Sequence, residues 1–367
     1  MKGLVLNDLH FNHKETKRMY SELHQVLDYI KEHDDLEMLV FAGDYFHSKL
    51  DYNATNFFYA HQFFTDIMAL CEEKKIIVRM IKGTNTHELN QLQDFKAFEN
   101  SKTFYNFRVI ETVQEETIKG LNFLFVPEEY PGPDYEKYYE PFKKKQYAGA
   151  FMHVMFDFVN GAKFLIPQNG TPGKAPVFIY DEWKDAFKNG FIISGHIHMQ
   201  QIFGNCYYPG AFTRWDWSDI SKRGFSVFET DGTNWKVEFI ENTEAPKYEV
   251  MEVTEKSYTD VKDLKESIDA RLKDTDYLKV VFNNVEQVDI DLIKKSYNDV
   301  KNMNFNVKSN KSSVINETSN TIELSKYDYI VKRELPLPET IQRFCKEDFG
   351  TEIDLDMIKE IISKWKQ

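Results

Sequence analysis

Short apolar runs that end abruptly in polar residues recur along the first half of the chain. Residues 3–6 are apolar and give way to Asn7-Asp8-Leu9-His10, after which Met19, Leu23, Val26, Leu27 and Ile30 recur at helical spacing. Residues 36–42 form a second run, closed by Gly43-Asp44 and followed by a Phe- and Tyr-rich helical stretch. A third run, 76–81, ends in Gly83-Thr84-Asn85-Thr86-His87. Further strands are predicted at 121–126, 149–156 and 191–194, the last running into Gly195-His196-Ile197-His198. Strands alternating with helices predict an α/β fold whose functional residues lie beyond the C-terminal ends of its strands.

The pattern changes after residue 239, where Glu241-Asn242-Thr243-Glu244-Ala245-Pro246 reads as a turn-rich boundary. A smaller unit follows, with strands at 247–253 and 277–282. Its helices carry Val261, Leu264, Ile268 and Leu272, and then residues 290–297. Residues 306–320 are polar and read as a loop or linker. Beyond them Pro338 opens a helix with Ile341 and Phe344, Gly350 interrupts it, and Leu355, Ile358, Ile362 and Trp365 share one apolar stripe. The expected division is 1–245, 246–310 and 311–367, which suits 367 residues.

Composition narrows the picture. A chain that is 42% hydrophobic and 29% charged can bury a sizeable core, and no apolar stretch is long enough to span a membrane. The start breaks into charge too early for a signal peptide, so the expected compartment is cytoplasmic. Cys71, Cys206 and Cys345 are far apart and form no CxxC pair, which argues against a disulfide framework or a thiolate metal site. A net charge of −13 disfavours a module that simply coats nucleic acid, but not an enzyme whose metals attract phosphate locally.

Candidate chemistry lies with the histidines. Six of ten, His10, His47, His87, His153, His196 and His198, fall at or just after predicted strands beside Asp, Asn or Gly. Residues two apart in extended backbone point the same way, so Asp8 with His10, and His196 with His198, each present two ligands to one side. Nitrogen and oxygen donors without sulfur suit Mn, Fe, Zn or Ni. Two ions about 3.5–4 Å apart, bridged by Asp44, would clamp a displacement at phosphorus.

Taken in order, Asp8-Leu9-His10, Gly43-Asp44, the stretch from Gly83 to Glu88, a lone His153 and Gly195-His196-Ile197-His198 resemble the five motifs of the calcineurin-like metallophosphoesterases over about residues 1–240. That family implies a two-sheet sandwich flanked by helices. A narrower resemblance is to the SbcD-type subunit of bacterial and phage recombination nucleases. It rests on Asp44-Tyr45-Phe46-His47, on Tyr208-Pro209-Gly210-Ala211-Phe212-Thr213-Arg214-Trp215-Asp216, and on a small α/β capping domain and helical tail after the catalytic domain. One departure stands out: the family's adjacent Asn-His is here Asn85-Thr86-His87, so either Asn85 reaches the second metal from a bulged loop or Thr86 and a water replace it.

The resemblance implies two divalent ions, Mn²⁺ first, with Mg²⁺, Fe²⁺ or Zn²⁺ as alternatives. Asp8, His10 and His198 would hold one ion, Asn85, His153 and His196 the other, and Asp44 would bridge them. Water would attack phosphorus, His87 would serve the leaving 3′-oxygen and His47 would orient the phosphate. The implied activity is that of a DNA exonuclease and endonuclease, homodimeric through the aromatic stretch Phe57, Phe58, Tyr59, Phe63 and Phe64. It would work in DNA repair or recombination with an SMC-like (SbcC-type) coiled-coil ATPase bound by the C-terminal tail. Arg214, Trp215 and Trp217 are expected to brace the ligand loop, and Lys143-Lys144-Lys145 is either a DNA contact or a solvated face. Two rivals remain: a phosphoesterase acting on small-molecule or protein phosphate esters, and a catalytically weak scaffold that binds DNA and an ATPase.

Overall fold

The computed structural model describes residues 1–12, 15–52, 54–99, 106–215, 217, 221–310, 336, 338–342, 346 and 354–359. Its first portion runs β1 (Lys2–Leu6), α1 (Thr16–Glu22), α2 (His24–Glu32), β2 (Met38–Ala42), α3 (Thr55–Lys74), β3 (Ile77–Ile81), α4 (Asn85–Glu88), α5 (Leu92–Lys96) and β4 (Phe107–Ile110). There follow β5 (Gln114–Ile118), β6 (Leu121–Val126), α6 (Tyr135–Lys143), β7 (Gly149–His153), β8 (Met155–Phe156), β9 (Val177–Phe178), α7 (Tyr180–Trp183) and β10 (Phe191–Gly195). Then come β11 (Gln201–Phe203), β12 (Cys206–Tyr208), β13 (Gly224–Thr230) and β14 (Trp235–Glu241).

These strands build two six-stranded sheets, ordered β14-β13-β1-β2-β3-β4 and β11-β12-β10-β7-β6-β5. Both have a parallel run, β1 to β4 in one and β6, β7, β10 and β12 in the other; antiparallel strands close one edge of the first sheet and both edges of the second. Central strands such as Met38–Ala42 and Ile77–Ile81 are buried along their whole length, as expected of parallel strands covered on both faces. Between the sheets pack Val5, Val40, Ile81, Phe123, Phe151, Phe191, Ile193 and Phe228. Phe228 stands within 5.1 Å of Phe151 and 5.2 Å of Phe191, ring centre to ring centre, joining one sheet to the other. Each such buried Phe contributes about 1.5–3 kcal/mol.

Helices cover the outer faces. Met19, Val26 and Ile30 from α1 and α2, and Phe63, Phe64, Ile67 and Met68 from α3, bury against the first sheet. Tyr139 and Trp183 do so against the second. The α/β fold expected from the alternation of strands and helices is thus present, as the two-sheet sandwich flanked by helices that the family resemblance implies. Phe63 and Phe64 belong to this core, while Phe58 stays 57% exposed on the same helix.

Two expectations need correction. The strand expected at 149–156 stops at His153, because both backbone groups of Val154 are taken by the Ser194 hydroxyl, at 3.2 and 3.1 Å. The linker expected at 306–320 begins inside a strand.

The chain divides into two compact units, Met1–Glu249 with Leu272–Leu278 and Val250–Arg271 with Lys279–Gln367. The later elements are β15 (Tyr248–Val253), α8 (Val261–Asp274), β16 (Tyr277–Val285), α9 (Gln287–Ser296) and β17 (Met303–Asn310), with the strands in one sheet ordered β15-β16-β17. Residues 303–308 alternate half-buried and exposed, so Met303, Phe305 and Val307 supply the strand period that the surrounding asparagines mask. Helical turns occur at 338–342 and 355–359, the second with Ile358 buried. Residues 311–335, Phe344, Cys345, Gly350, Ile362 and Trp365 lie outside the described residues. No described helix is long and apolar enough to cross a membrane.

Candidate metal centre

The loops after β1 and β2 continue the pairing of their strands. Backbone N–H groups of Asp8, His10 and Phe11 donate to the carbonyls of Gly43, Asp44 and Tyr45 at 3.2, 2.9 and 2.9 Å, and that of His47 returns to Phe11 at 2.8 Å. This zipper holds unfavourable backbone: Asp8, His10 and Asp44 have φ of 49°, 54° and 48°, and His196 has 81°. Such left-handed non-glycine residues cost roughly 1–3 kcal/mol each and persist where the surroundings over-determine them.

The second sheet brings its strand ends to the same place. His153 ends β7 and lies 2.9 Å from the Ala42 carbonyl through Nδ1, so the ring donates there and Nε2 carries the lone pair. Gly43 makes the approach possible, since a Cβ at that position would lie 2.1 Å from His153 Nδ1. Gly83 does the same for Asp44, whose Oδ1 would be 2.2 Å from a Cβ.

Asp44 is central. Its Oδ2 is 2.7 Å from His87 Nδ1, 3.4 Å from His153 Nε2 and 3.6 Å from His10 Nε2, and its Oδ1 accepts from the Thr84 N–H at 2.6 Å. His10 Nε2 and His198 Nε2 face each other at 2.8 Å, close to the ~3 Å separation of two nitrogens that share one ion at about 2.1 Å. Asp8 Oδ1 accepts the His196 N–H at 2.9 Å, and Asp8 Oδ2 accepts from the Asn7 amide at 2.8 Å. The Asn7 amide also donates to Gly210 at 2.6 Å.

Charge in this pocket is unbalanced. Burial alone would raise the Asp44 carboxyl, but His153 and His87 beside it hold it well below the usual carboxylate range. The hydrogen bond to Asp44 raises His87, and His153 is raised by Asp44 and Asp8 although burial opposes it. Burial lowers His10, leaving its ring neutral and able to donate a lone pair. Asp44 is thus the anionic focus of the pocket, the carboxylate on which His87, His153 and His10 converge.

The residues fit two divalent ions. His153 Nε2 is fully buried with no hydrogen-bond partner. Asp8, His10 and His198 have ligand atoms within 4.8 Å of one another, as do Asp8, Asp44 and His153. Glu128, His153 and His196 form a further such group. Nitrogen and carboxylate donors without sulfur match the harder transition ions and Mg²⁺.

Of the expected site residues, Asp8, His10, Asp44, His87, His153, His196 and His198 converge. His47 sits exposed at the rim, its Nδ1 3.3 Å from His10 Nδ1 and its ring stacked on His87. Asn85 and its alternative Thr86 are exposed, and Asn85 lines the groove that also holds Glu128 and Tyr130. The reason is local. Gly83-Thr84-Asn85-Thr86-His87 turns into α4, where residues two apart lie about 200° apart around the axis, so His87 and Asn85 leave the turn in different directions, His87 toward Asp44.

Glu128, just past β6, was not anticipated from sequence. Its Oε2 lies 3.1 Å from His196 Nδ1 and accepts from the Thr84 hydroxyl at 3.0 Å. Burial pushes this carboxyl up, but the His196 hydrogen bond and the nearby His153 bring it below its ordinary value. The signal was present: Glu128 follows a strand as closely as the other ligands do.

Support from behind also differs from expectation. Arg223, fully buried, donates to the His198 carbonyl, and the Ala211 N–H reaches the same oxygen at 3.2 Å. Arg214 instead donates to Ala245, Pro246 and Ser221, and Trp215 receives the Arg18 guanidinium 5.5 Å over its ring. Trp217 packs 5.4 Å from Tyr248, ring centre to ring centre, and Asp216 lies outside the described residues. Glu88, buried and pushed up to about 8, accepts the Tyr45 N–H at 2.8 Å and ties the loop after β3 to that after β2. Lys143, Lys144 and Lys145 face Glu182, Glu140 and Glu115.

Two facing sheets with an Asp and His cluster at their merged strand ends define a metallohydrolase. The calcineurin-like phosphoesterase model matches residues 1–200, and the chain belongs to that family, whose members use a dinuclear divalent metal site. No curated protein matches the chain. One solved crystal structure is 13% identical, covering 65% of this chain and 98% of its own, with a TM-score of 0.36. A protein of unknown function from Aquifex aeolicus is 12% identical, covering 50% of this chain and 92% of its own, with a TM-score of 0.24.

Proposed function

We propose that the chain is a two-metal DNA nuclease of the SbcD type. It hydrolyses phosphodiester bonds as exonuclease and endonuclease, and works as a homodimer with an SMC-like ATPase in DNA end processing, repair or recombination. The observation that carries this reading is a pair of histidines beside the ligand sets, His87 half-buried on Asp44 and His47 exposed next to it, ring centres 5.2 Å apart. A phosphodiester in a polymer needs a proton donor at the leaving oxygen and a further contact that holds the phosphate as the strand passes the rim. His87 turns Nδ1 to Asp44, leaving Nε2 to serve the leaving oxygen, and His47, exposed beside His10, would hold the phosphate. Divalent ions, when bound, supply Lewis acidity and activate water. The C-terminal tail is the proposed docking element for the ATPase.

One observation favours the smaller-ester reading. The groove beside the centre is lined by Glu111, Glu128, Glu129 and Asp134 against Lys82, a poor surface for a long polyanion. Incubation with Mn²⁺ and end-labelled duplex DNA, beside a chromogenic phosphodiester, separates the two, with and without the ATPase. DNA cleavage that vanishes in Asp44→Ala supports the nuclease. Cleavage of the small ester alone overturns it.

A further inference from the structure

A carboxylate outside the expected ligand set stands beside the histidines of the second position. Glu128 is 6% exposed, and its N–H donates to the Lys82 carbonyl at 3.2 Å, clipping the loop after β6 to the residue before Gly83. Thr84, from the loop that carries Asn85 and His87, donates its hydroxyl to Glu128 Oε2 at 3.0 Å, and the Tyr130 hydroxyl donates to Oε1. With both oxygens oriented, Oε2 faces His196 Nδ1 at 3.1 Å.

We propose that Glu128 is a ligand of the second ion, completing a set with His153, His196 and Asp44 in the position that an amide oxygen would otherwise fill. A third carboxylate leaves the loaded centre one positive charge lower. It therefore favours hard divalent ions and tighter loading of the second position, and it attracts phosphate less. The inference rests on the two-metal centre that the proposed function also uses, and is independent of whether the substrate is DNA.

The test is titration of the metal-free full chain with Mn²⁺ by calorimetry, with ions counted by atomic emission, for wild type, Glu128→Ala and Glu128→Gln. Wild type should take up two ions. In Glu128→Ala the second ion should bind at least ~10-fold more weakly with the first unchanged, and Glu128→Gln, which keeps an oxygen, should recover most of that loss. Anomalous diffraction from Mn²⁺-loaded crystals should put a Glu128 oxygen about 2.2 Å from the second ion. This map also decides the matter if the alanine variant does not fold. Two ions bound alike by wild type and Glu128→Ala, or a Glu128 oxygen beyond ~3 Å that touches only His196, would overturn the role of Glu128 alone. Wild type that takes up no ion overturns the proposed function as well.

Discussion

The two halves of the metal centre are built differently. Asp8, His10 and His198 come from motifs in which ligands sit two residues apart, on loops that extend strand pairing by direct hydrogen bonds. The half around His153 and His196 shares the second of those pairs, but completes it with single residues from separate strand ends and relies on Gly43 for room and on Thr84 to orient Glu128. The first half is a property of sequence spacing, whereas the second is a property of tertiary fit. Ligand spacing therefore reveals that a centre exists better than it reveals how the centre is completed.

Asp44 belongs to both halves, so removing it should break the contrast altogether. Asp44→Ala should lower phosphodiester turnover by at least ~10³-fold, since several kcal/mol of charge stabilisation depend on loaded ions. It should also reduce the ion content of both positions in the same atomic-emission assay. Chelation of wild type should copy the activity loss and Mn²⁺ should reverse it, which Asp44→Ala should not allow. His87→Ala marks a different boundary. Its ring touches Asp44 but lies outside the two ligand sets, so turnover should fall about 10²- to 10⁴-fold while two ions remain bound. A fall in ion content would move His87 into the ligand shell.

This contrast also explains what was legible beforehand. Apolar runs that end in Asp8, Asp44, His87 and His196 could be read as strands with functional ends, because burial on both faces writes an uninterrupted apolar code. The edge strands β5, β11 and β14 could not, since their half-exposed faces mix Glu, Gln and Lys with apolar residues. The strand β17 was hidden for the same reason, its asparagines resembling a linker. Glu128 escaped because a carboxylate after a strand is common, and what distinguishes it is the hydrogen bond from its N–H to Lys82. Arg223 escaped because a buried arginine on a backbone carbonyl leaves no mark in spacing.

Gly43 offers a way to strain the tertiary half more than the other, which it touches only by accepting the Asp8 N–H at its carbonyl. Gly43→Ala adds a methyl 2.1 Å from His153 Nδ1 at a φ of +86°, so both overlap and left-handed backbone oppose it. The expected cost is about 2–4 kcal/mol, read as a lower denaturation midpoint at constant slope. Metal loading should suffer at the second position first, because the displaced group is His153 and the pairing of His10 with His198 is untouched. Equal losses at both positions would mean that the halves are mechanically one unit.

The smallest effect is expected where the family pattern would put a large one. Asn85 is the nearest residue in kind to the amide ligand of related centres, yet it sits at the start of α4 with its side chain exposed, while Thr84 and Glu128 occupy the interior beside His196. Asn85→Ala should therefore leave second-ion affinity and turnover within about twofold, and stability within ~0.5 kcal/mol, as for surface substitutions generally. Calorimetric titration beside Glu128→Ala makes the comparison direct. A tenfold loss in Asn85→Ala with none in Glu128→Ala would mean that the loop from Gly83 to His87 rearranges on metal loading. The second half of the centre would then be, like the first, a matter of sequence motif rather than of tertiary replacement.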